Sequence, residues 1–412
     1  MPRRRSWKAR VRAAVAAAAI AIGLTPAAAL PTGTAAADTA PARQQQTVTA
    51  YVSNALPGTV LAYNTLTNTL IKTIPVGTSP DGMASTPDGT RVYVANIVSN
   101  DVSVIDTATN TVVATIPVGT RPIDVAVSPD GTRAYVANSA SNNVSVINTR
   151  TNTVVATITV GTGPEGVAIS PSGRRAFVAN TFSNTVSVID TSSNTVVTTI
   201  AVGTKPIGVA VTSGNFVFVA NSGSNTVSVI DADSDTVVAT ITVGAAPDRV
   251  AATPDGGFVY VTNSDSSTVS VIDTSTDTVV ATIPVGASPM GVAITPDGTR
   301  AYVANFVSNT VSVINTRTNT VIATLTGGGF PTGVTVARVR TQVSPQVIPQ
   351  RPGAAAGVDG VVDQSMGRVG APSTARLLAH RHPGAATHHR TKAHRAHHTR
   401  RPTTAKAADP GR

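Results

Sequence analysis

Seven times this chain repeats a Val-Gly-x-x-Pro-x-Gly segment or a close variant of it, and the residues that vary inside it are those equipped for chemistry. After the proline stand Asp81, Ile123, Glu165, Ile207, Asp248, Met290 and Thr332. The next position is glycine in five copies but Asp124 and Arg249 in the other two, and ahead of the proline lie Arg121, Lys205 and Phe330 among smaller residues. Asp81, Asp124 and Glu165 come from three consecutive copies, and Glu165 is the only glutamate in the chain. Carboxylates gathered from several loops suit a hard cation such as calcium. Without a metal, a glutamate or aspartate here would have to act as general base, because no histidine lies in the repeats and no nucleophile and base pair is recognisable. The same charges also read as loop charge balanced by Arg121, Lys205 and Arg249. The candidate ligand-binding set is therefore Asp81, Arg121, Asp124, Glu165, Lys205, Asp248 and Arg249.

A second variable set follows a recurring Tyr-Val-Ala-Asn core. Most copies continue with serine-rich residues, yet Ile97, Val98, Phe182, Phe306 and Val307 put apolar groups there. With Phe330 they form a candidate docking surface, or fold over and pack. Asp231 to Asp235 resembles the start of a calcium loop but lacks its sixth-position glycine and later glutamate, and it falls at a hairpin turn.

The elements that position these residues are strands. The marker asparagines are Asn54, Asn96, Asn138, Asn180, Asn221, Asn263 and Asn305, spaced 42, 42, 42, 41, 42 and 42 apart. Each period holds four β-branched segments of about five or six residues bounded by Pro, Gly, Asn, Asp and Ser. Pro-Asp-Gly at Pro87, Pro129, Pro254 and Pro296 supplies a fixed φ first and a permissive glycine third, as a tight turn requires. The first copy lacks an inner strand and begins at Thr47 with a second strand, while Gly333 to Ala337 is an inner strand with nothing of its own to follow. The two fragments complete one blade. The expected fold is all-β, a seven-bladed β-propeller of four antiparallel strands per blade, closed by a blade shared between the chain's two ends. In such a meander the loops carrying both variable sets emerge on one face, and the near-invariant turns emerge on the other.

The repeats resemble the YVTN family of β-propellers, on Tyr-Val-Ser-Asn54, Tyr-Val-Thr-Asn263, the Tyr-Val-Ala-Asn copies and the Pro-Asp-Gly-Thr-Arg ahead of them. The resemblance implies an exported bacterial or archaeal protein, akin to propeller lactonases and quinoprotein-like propellers. It implies the fold far more than any reaction. A quinone-holding redox propeller is disfavoured, because the single tryptophan is Trp7 and the docking motifs are missing.

Residues 1–37 read as a secretory signal: six basic residues by Arg12, an Ala-rich stretch, and Ala-x-Ala at Ala35 to Ala37. Arg4-Arg5 is a weak match to a twin-arginine signal, so general secretion is preferred, and no permanent membrane anchor is expected. Residues 38–46 read as linker, 47–340 as the propeller, 341–376 as a Pro/Gly/Ala-rich linker, and 377–412 as a disordered basic tail holding all seven histidines. Zero cysteines exclude disulfides and thiolate chemistry.

The formal charge of +10 conceals opposite parts. The signal carries six basic residues, and the chain from Arg338 onward carries thirteen against three acidic ones. The intervening residues 13–337, which hold nearly all of the propeller, have twelve basic and eighteen acidic residues, which argues against nucleic acid as its partner. The expectation is a secreted or cell-surface, monomeric, non-catalytic propeller without a required cofactor, binding an envelope polymer or protein partner on its variable face. The alternative is a lactonase-like hydrolase.

Overall fold

The computed structural model describes residues 44–342, all in strands and the turns between them. The predicted signal, residues 38–43 of the expected 38–46 linker, the 341–376 linker beyond Gln342 and the 377–412 tail lie outside the described residues. Strand pairing begins at Gln44 and runs to Gln342, slightly beyond the 47–340 span read from the repeat.

Twenty-eight strands form seven four-stranded antiparallel sheets. Blade 1 is β28 (Pro331–Gln342), β1 (Gln44–Asn54), β2 (Thr59–Asn64) and β3 (Thr69–Pro75), so the two chain ends share one sheet. Within it Ala50 faces Val336 and Thr47 faces Val339. Blades 2 to 7 follow in chain order, opening with inner strands β4 (Pro80–Ser85), β8 (Pro122–Val127), β12 (Pro164–Ile169), β16 (Pro206–Val211), β20 (Pro247–Ala252) and β24 (Pro289–Ile294). Each inner strand touches the next, and β24 meets β28, which closes the ring.

Burial follows the strand period. The Tyr or Phe of each second strand is fully buried, and seven apolar clusters fill the seams between adjacent blades. The outer strands alternate exposed and half-buried residues, so the free edges are short and lie at the circumference.

The marker asparagines have a structural task. All seven are completely buried. In blades 2 to 7 the side-chain amide donates to the serine seven residues on, as from Asn96 to Ser103 at 2.9 Å. The glycine of Val-Gly lies flat on this amide: a Cβ at Gly77 would come within 2.6 Å of Asn96 Cγ. Blade 1 departs from the pattern, because Leu61 stands where the serine would be and the Asn54 amide is left without a partner.

Candidate functional site

The loops entering the inner strands are fixed from both sides. The carbonyl of the residue before each proline accepts the N–H of the residue after the marker asparagine, as from Ser139 to Arg121 at 2.9 Å. The side chains of Asn100, Asn142, Asn184 and Asn225 reach the next blade and accept the N–H of Arg121, Gly163, Lys205 and Ala246. These bonds hold all seven pre-proline residues left-handed, at φ between 50 and 64°, although only Gly163 is a glycine. The rim is thus built from strained backbone, at roughly 1–2 kcal/mol per non-glycine residue.

Just inside the rim the glycine ring sets how closely the inner strands meet. A Cβ on Gly82 would lie 2.6 Å from Ile123 O, on Gly166 2.2 Å from Ile207 O, and on Gly333 2.2 Å from Asp81 O. Asp124 and Arg249 occupy this level and project into the ring. With Gly82, Gly291, Gly333 and neighbouring valines they line a cavity of about 160 Å³ on the propeller axis.

Arg249 is the centre of the charge. Its guanidinium lies 3.7 Å from Asp81, 3.8 Å from Asp124 and 3.7 Å from Asp248. These separations exceed hydrogen-bond reach, and Nη1 is buried with no partner. Only 9% of the Asp81 side chain and 12% of that of Arg249 meet solvent. Asp124 is better satisfied, accepting the N–H of Val125 at 3.0 Å and, across the seam, that of Val167 at 3.3 Å.

Burial dominates the proton affinities. It pushes Asp81 up to about 7, against the opposing pull of Arg249 and with the help of Asp248, Asp124 and Glu165. Burial likewise raises Asp124, Asp248 and Glu165, each opposed by Arg249. For Arg249 desolvation is outweighed by the surrounding carboxylates, which keep it charged.

The sequence-derived set therefore divides. Asp81, Asp124, Asp248 and Arg249 come together, and Glu165 acts on them through space. Arg121 and Lys205 stay exposed on the rim, and neither forms an ion pair among the described residues, so the balancing role falls mainly to Arg249, with Arg121 acting on Glu165 through space. Nor is this solvated loop charge, because the group lies mostly out of water. Among the described residues no three carboxylate or imidazole groups come close enough to share a metal ion, and a guanidinium occupies the middle. Asp231 caps its own hairpin and Asp235 pairs with Arg175 at 2.6 Å.

On the rim, Val98, Phe182 and Val307 are 61, 69 and 63% exposed. Ile97 and Phe306 are half-buried, and Phe306 meets Phe330 with ring centroids 5.1 Å apart. Phe182 covers Gly163. Sequence reading missed Leu56, 75% exposed in the equivalent loop of blade 1, although that loop's Ala-Leu-Pro departs visibly from the serine-rich copies. It also missed Ser53 and Thr262, which replace the alanine before the marker asparagine. The Thr262 hydroxyl accepts Arg249 N–H at 3.0 Å and donates to Met290 O of the next blade at 2.7 Å. Ser53 bonds Asp81 O at 2.7 Å in the same way.

The fold and this axial site define a seven-bladed propeller with a charged centre. A family model described as "Lactonase, 7-bladed beta-propeller" matches residues 149–282. Among solved structures, the chain is similar to Kuenenia stuttgartiensis hydrazine synthase at 28% identity, over 65% of this chain and 92% of that one, with a TM-score of 0.60. A functionally unknown protein from Desulfotomaculum acetoxidans is 20% identical over 70% and 99% of the two chains, TM-score 0.63. A putative 6-phosphogluconolactonase from Bacteroides uniformis is 17% identical over 71% and 100%, TM-score 0.62. The last two show likeness of fold alone. Comparison with curated proteins gives no match.

Proposed function

We propose that this is an exported, non-catalytic propeller of the YVTN type that binds a protein or polymer of the cell envelope on its variable face. The observation that carries the reading is the set of exposed apolar side chains, Leu56, Val98, Phe182, Val307 and Phe330, on the face where the other copies place small or charged residues such as Ala140, Gly223, Asp265, Arg121 and Lys205. Export rests on the signal features of residues 1–37, and the acidic propeller is a poor match to nucleic acid. Capture of envelope material by the immobilised protein is expected to fall at least tenfold in a Leu56, Phe182, Phe306 and Phe330 alanine variant with unchanged melting. Equal capture by that variant would refute the assignment.

A second reading draws support from the lactonase-family match and from Asp81, whose affinity for protons near pH 7 suits a general base. Lactone hydrolysis that disappears in both Asp81→Asn and Glu165→Gln would favour it over binding alone.

A further inference from the structure

On the face opposite the rim, clefts lie between blades 2 and 3, 3 and 4, 4 and 5, and 7 and 1. Between blades 2 and 3 the deep donors are matched. Arg91 pairs with Asp106 of its own blade at 2.6 Å, and the Tyr93 hydroxyl donates to Asn152 of the next blade at 2.9 Å. The cleft between blades 3 and 4, of about 530 Å³, departs from this at three positions. Asn148 faces Arg133 across the strand pair where Asp106 faces Arg91. Arg133, lacking that carboxylate, crosses the seam and donates to Thr191 O at 3.1 Å and to Asn194 Oδ1 at 3.2 Å, the counterparts of the acceptors that Tyr93 uses. Tyr135 is completely buried, and its hydroxyl is left without a partner. In the blade 4 turn, Ser172 and Arg174 stand where blade 3 has Asp130 and Thr132, which removes a negative charge and adds a positive one.

Two guanidinium groups, those of Arg133 and Arg174, border this one cleft, and neither forms an ion pair among the described residues. The carboxylates that act on Tyr135 are committed to their own turns: Asp130 accepts from Ser128 and Thr132, and Asp190 from Ser192 and Ser193. Arg133 and Tyr135 thus compete for one pair of acceptors, a conflict that an added acceptor resolves. A cation would be repelled by the two guanidinium groups, whereas an oxyanion brings several acceptors and a negative charge to planar donor forks. The neighbouring clefts lack this combination. Between blades 4 and 5 Arg175 is neutralised by Asp235 at 2.6 Å, and between blades 7 and 1 Tyr302 keeps its Asn68 acceptor at 3.0 Å.

We propose that the cleft between blades 3 and 4 binds an oxyanion, the phosphate or carboxylate group of a ligand, through Arg174 and Arg133. Arg133 turns from the blade 4 hairpin to the oxyanion, and Tyr135 takes the freed Asn194 acceptor as Tyr93 takes Asn152. The site lies on the opposite face from the apolar rim and is independent of what binds there.

Carbon-13 NMR of the full chain, labelled at tyrosine Cζ, tests it. The chain has six tyrosines, and the Tyr135→Phe variant assigns the signal of Tyr135. Titration with sodium phosphate at pH 7 and constant ionic strength is expected to shift that signal saturably. The signals of Tyr93 and Tyr260, whose acceptors are already in place, stay fixed. Sodium acetate is titrated in parallel; saturation by either anion supports the site, and the tighter of the two identifies the group it takes. Arg174→Thr, which installs the residue found at Thr90, Thr132 and Thr299, is expected to weaken binding at least fivefold. The basic residues from Arg338 onward are common to both proteins, so their own attraction for anions cancels in that comparison. Asn148→Asp, which gives Arg133 the carboxylate that Arg91 has, is expected to move the Tyr135 signal to its anion-bound position with no anion added. A Tyr135 signal unmoved by both anions, equal affinity in Arg174→Thr, or no response to Asn148→Asp would each overturn the proposal.

Discussion

Asp81 makes the stability of this propeller run against the usual direction across the acid range. Its carboxyl has an ordinary value near 3.8 in the unfolded chain and about 7 in the fold, because burial penalises the anion more than Arg249 relieves it. The folded state therefore holds a proton that the unfolded chain releases. Stability from this proton is complete below about pH 4 and is lost as pH rises to about 7, beyond which the curve is flat again. Roughly three pH units at about 1.4 kcal/mol each give a loss on the order of 4 kcal/mol between pH 4 and pH 8. Asp124, Glu165 and Asp248 are raised as well and act in the same sense. Turn aspartates act oppositely: Asp190, bonded by Ser192 and Ser193, is pushed down to about 2, and Asp88, Asp130, Asp255, Asp273 and Asp297 are also lowered. Their contribution is lost only as pH falls below about 4, which places the optimum near pH 4 to 5. Asp81→Asn keeps the shape and removes the titration. Unfolding free energies of wild type and variant, from urea titrations at pH 4.5 and 7.5, are expected to diverge by several kcal/mol in favour of the variant at the higher pH. A difference between the two proteins that stays constant within about 0.5 kcal/mol across that range would refute the argument.

Two further pairs of substitutions test the packing. Gly166→Ala places a Cβ 2.2 Å from Ile207 O and is expected to cost about 1–3 kcal/mol, whereas Gly257→Ala, whose nearest atom is 3.5 Å away, is expected to be neutral within about 0.5 kcal/mol. Thermal melts of both variants check the contrast. Tyr93→Phe removes a hydroxyl bonded to Asn152 at 2.9 Å and is expected to cost about 1 kcal/mol. In Tyr135 the equivalent acceptors, Thr191 O and the Asn194 side chain, are taken by Arg133, which can only donate to the hydroxyl. Tyr135→Phe is therefore expected to leave the urea midpoint unchanged.

The strands, their order and the shared blade were legible because strand period, turn residues and marker asparagines agree within every copy. The site was only half legible. Asp81, Asp124 and Glu165 stand out as departures in neighbouring copies, which suggested that neighbours act together. Arg249 belongs to blade 6, across the ring from blades 2 and 3, and only closure brings it to Asp81 and Asp124. The strained rim was hidden for another reason: a residue before proline is ordinarily extended, and Ser79, Arg121, Lys205, Ala246, Ser288 and Phe330 carry no mark of the left-handed state that interblade bonds impose.

How a charge entered the ring can be read from its two exceptions. Where glycine stands, as in blade 2, pairing of the inner strand skips from Pro80↔Asn96 to Met83↔Val94, and the glycine nests against the next blade's carbonyl. Arg249 keeps that skip, from Pro247↔Asn263 to Val250↔Val261, and its amide is taken up by the hydroxyl of Thr262. Asp124 instead joins the ladder opposite Ala137, and its carboxylate accepts the amides of Val125 and Val167. Asp124 thus departs from glycine with a change of register, whereas the hydroxyl bond at Arg249 is shared with a glycine copy, since Ser53 accepts the N–H of Gly333 at 2.7 Å. Thr262→Ala therefore leaves the backbone amide of residue 249 without its acceptor in the native chain and in an Arg249→Gly background alike, and a double-mutant cycle is expected to find the two costs additive within about 0.5 kcal/mol.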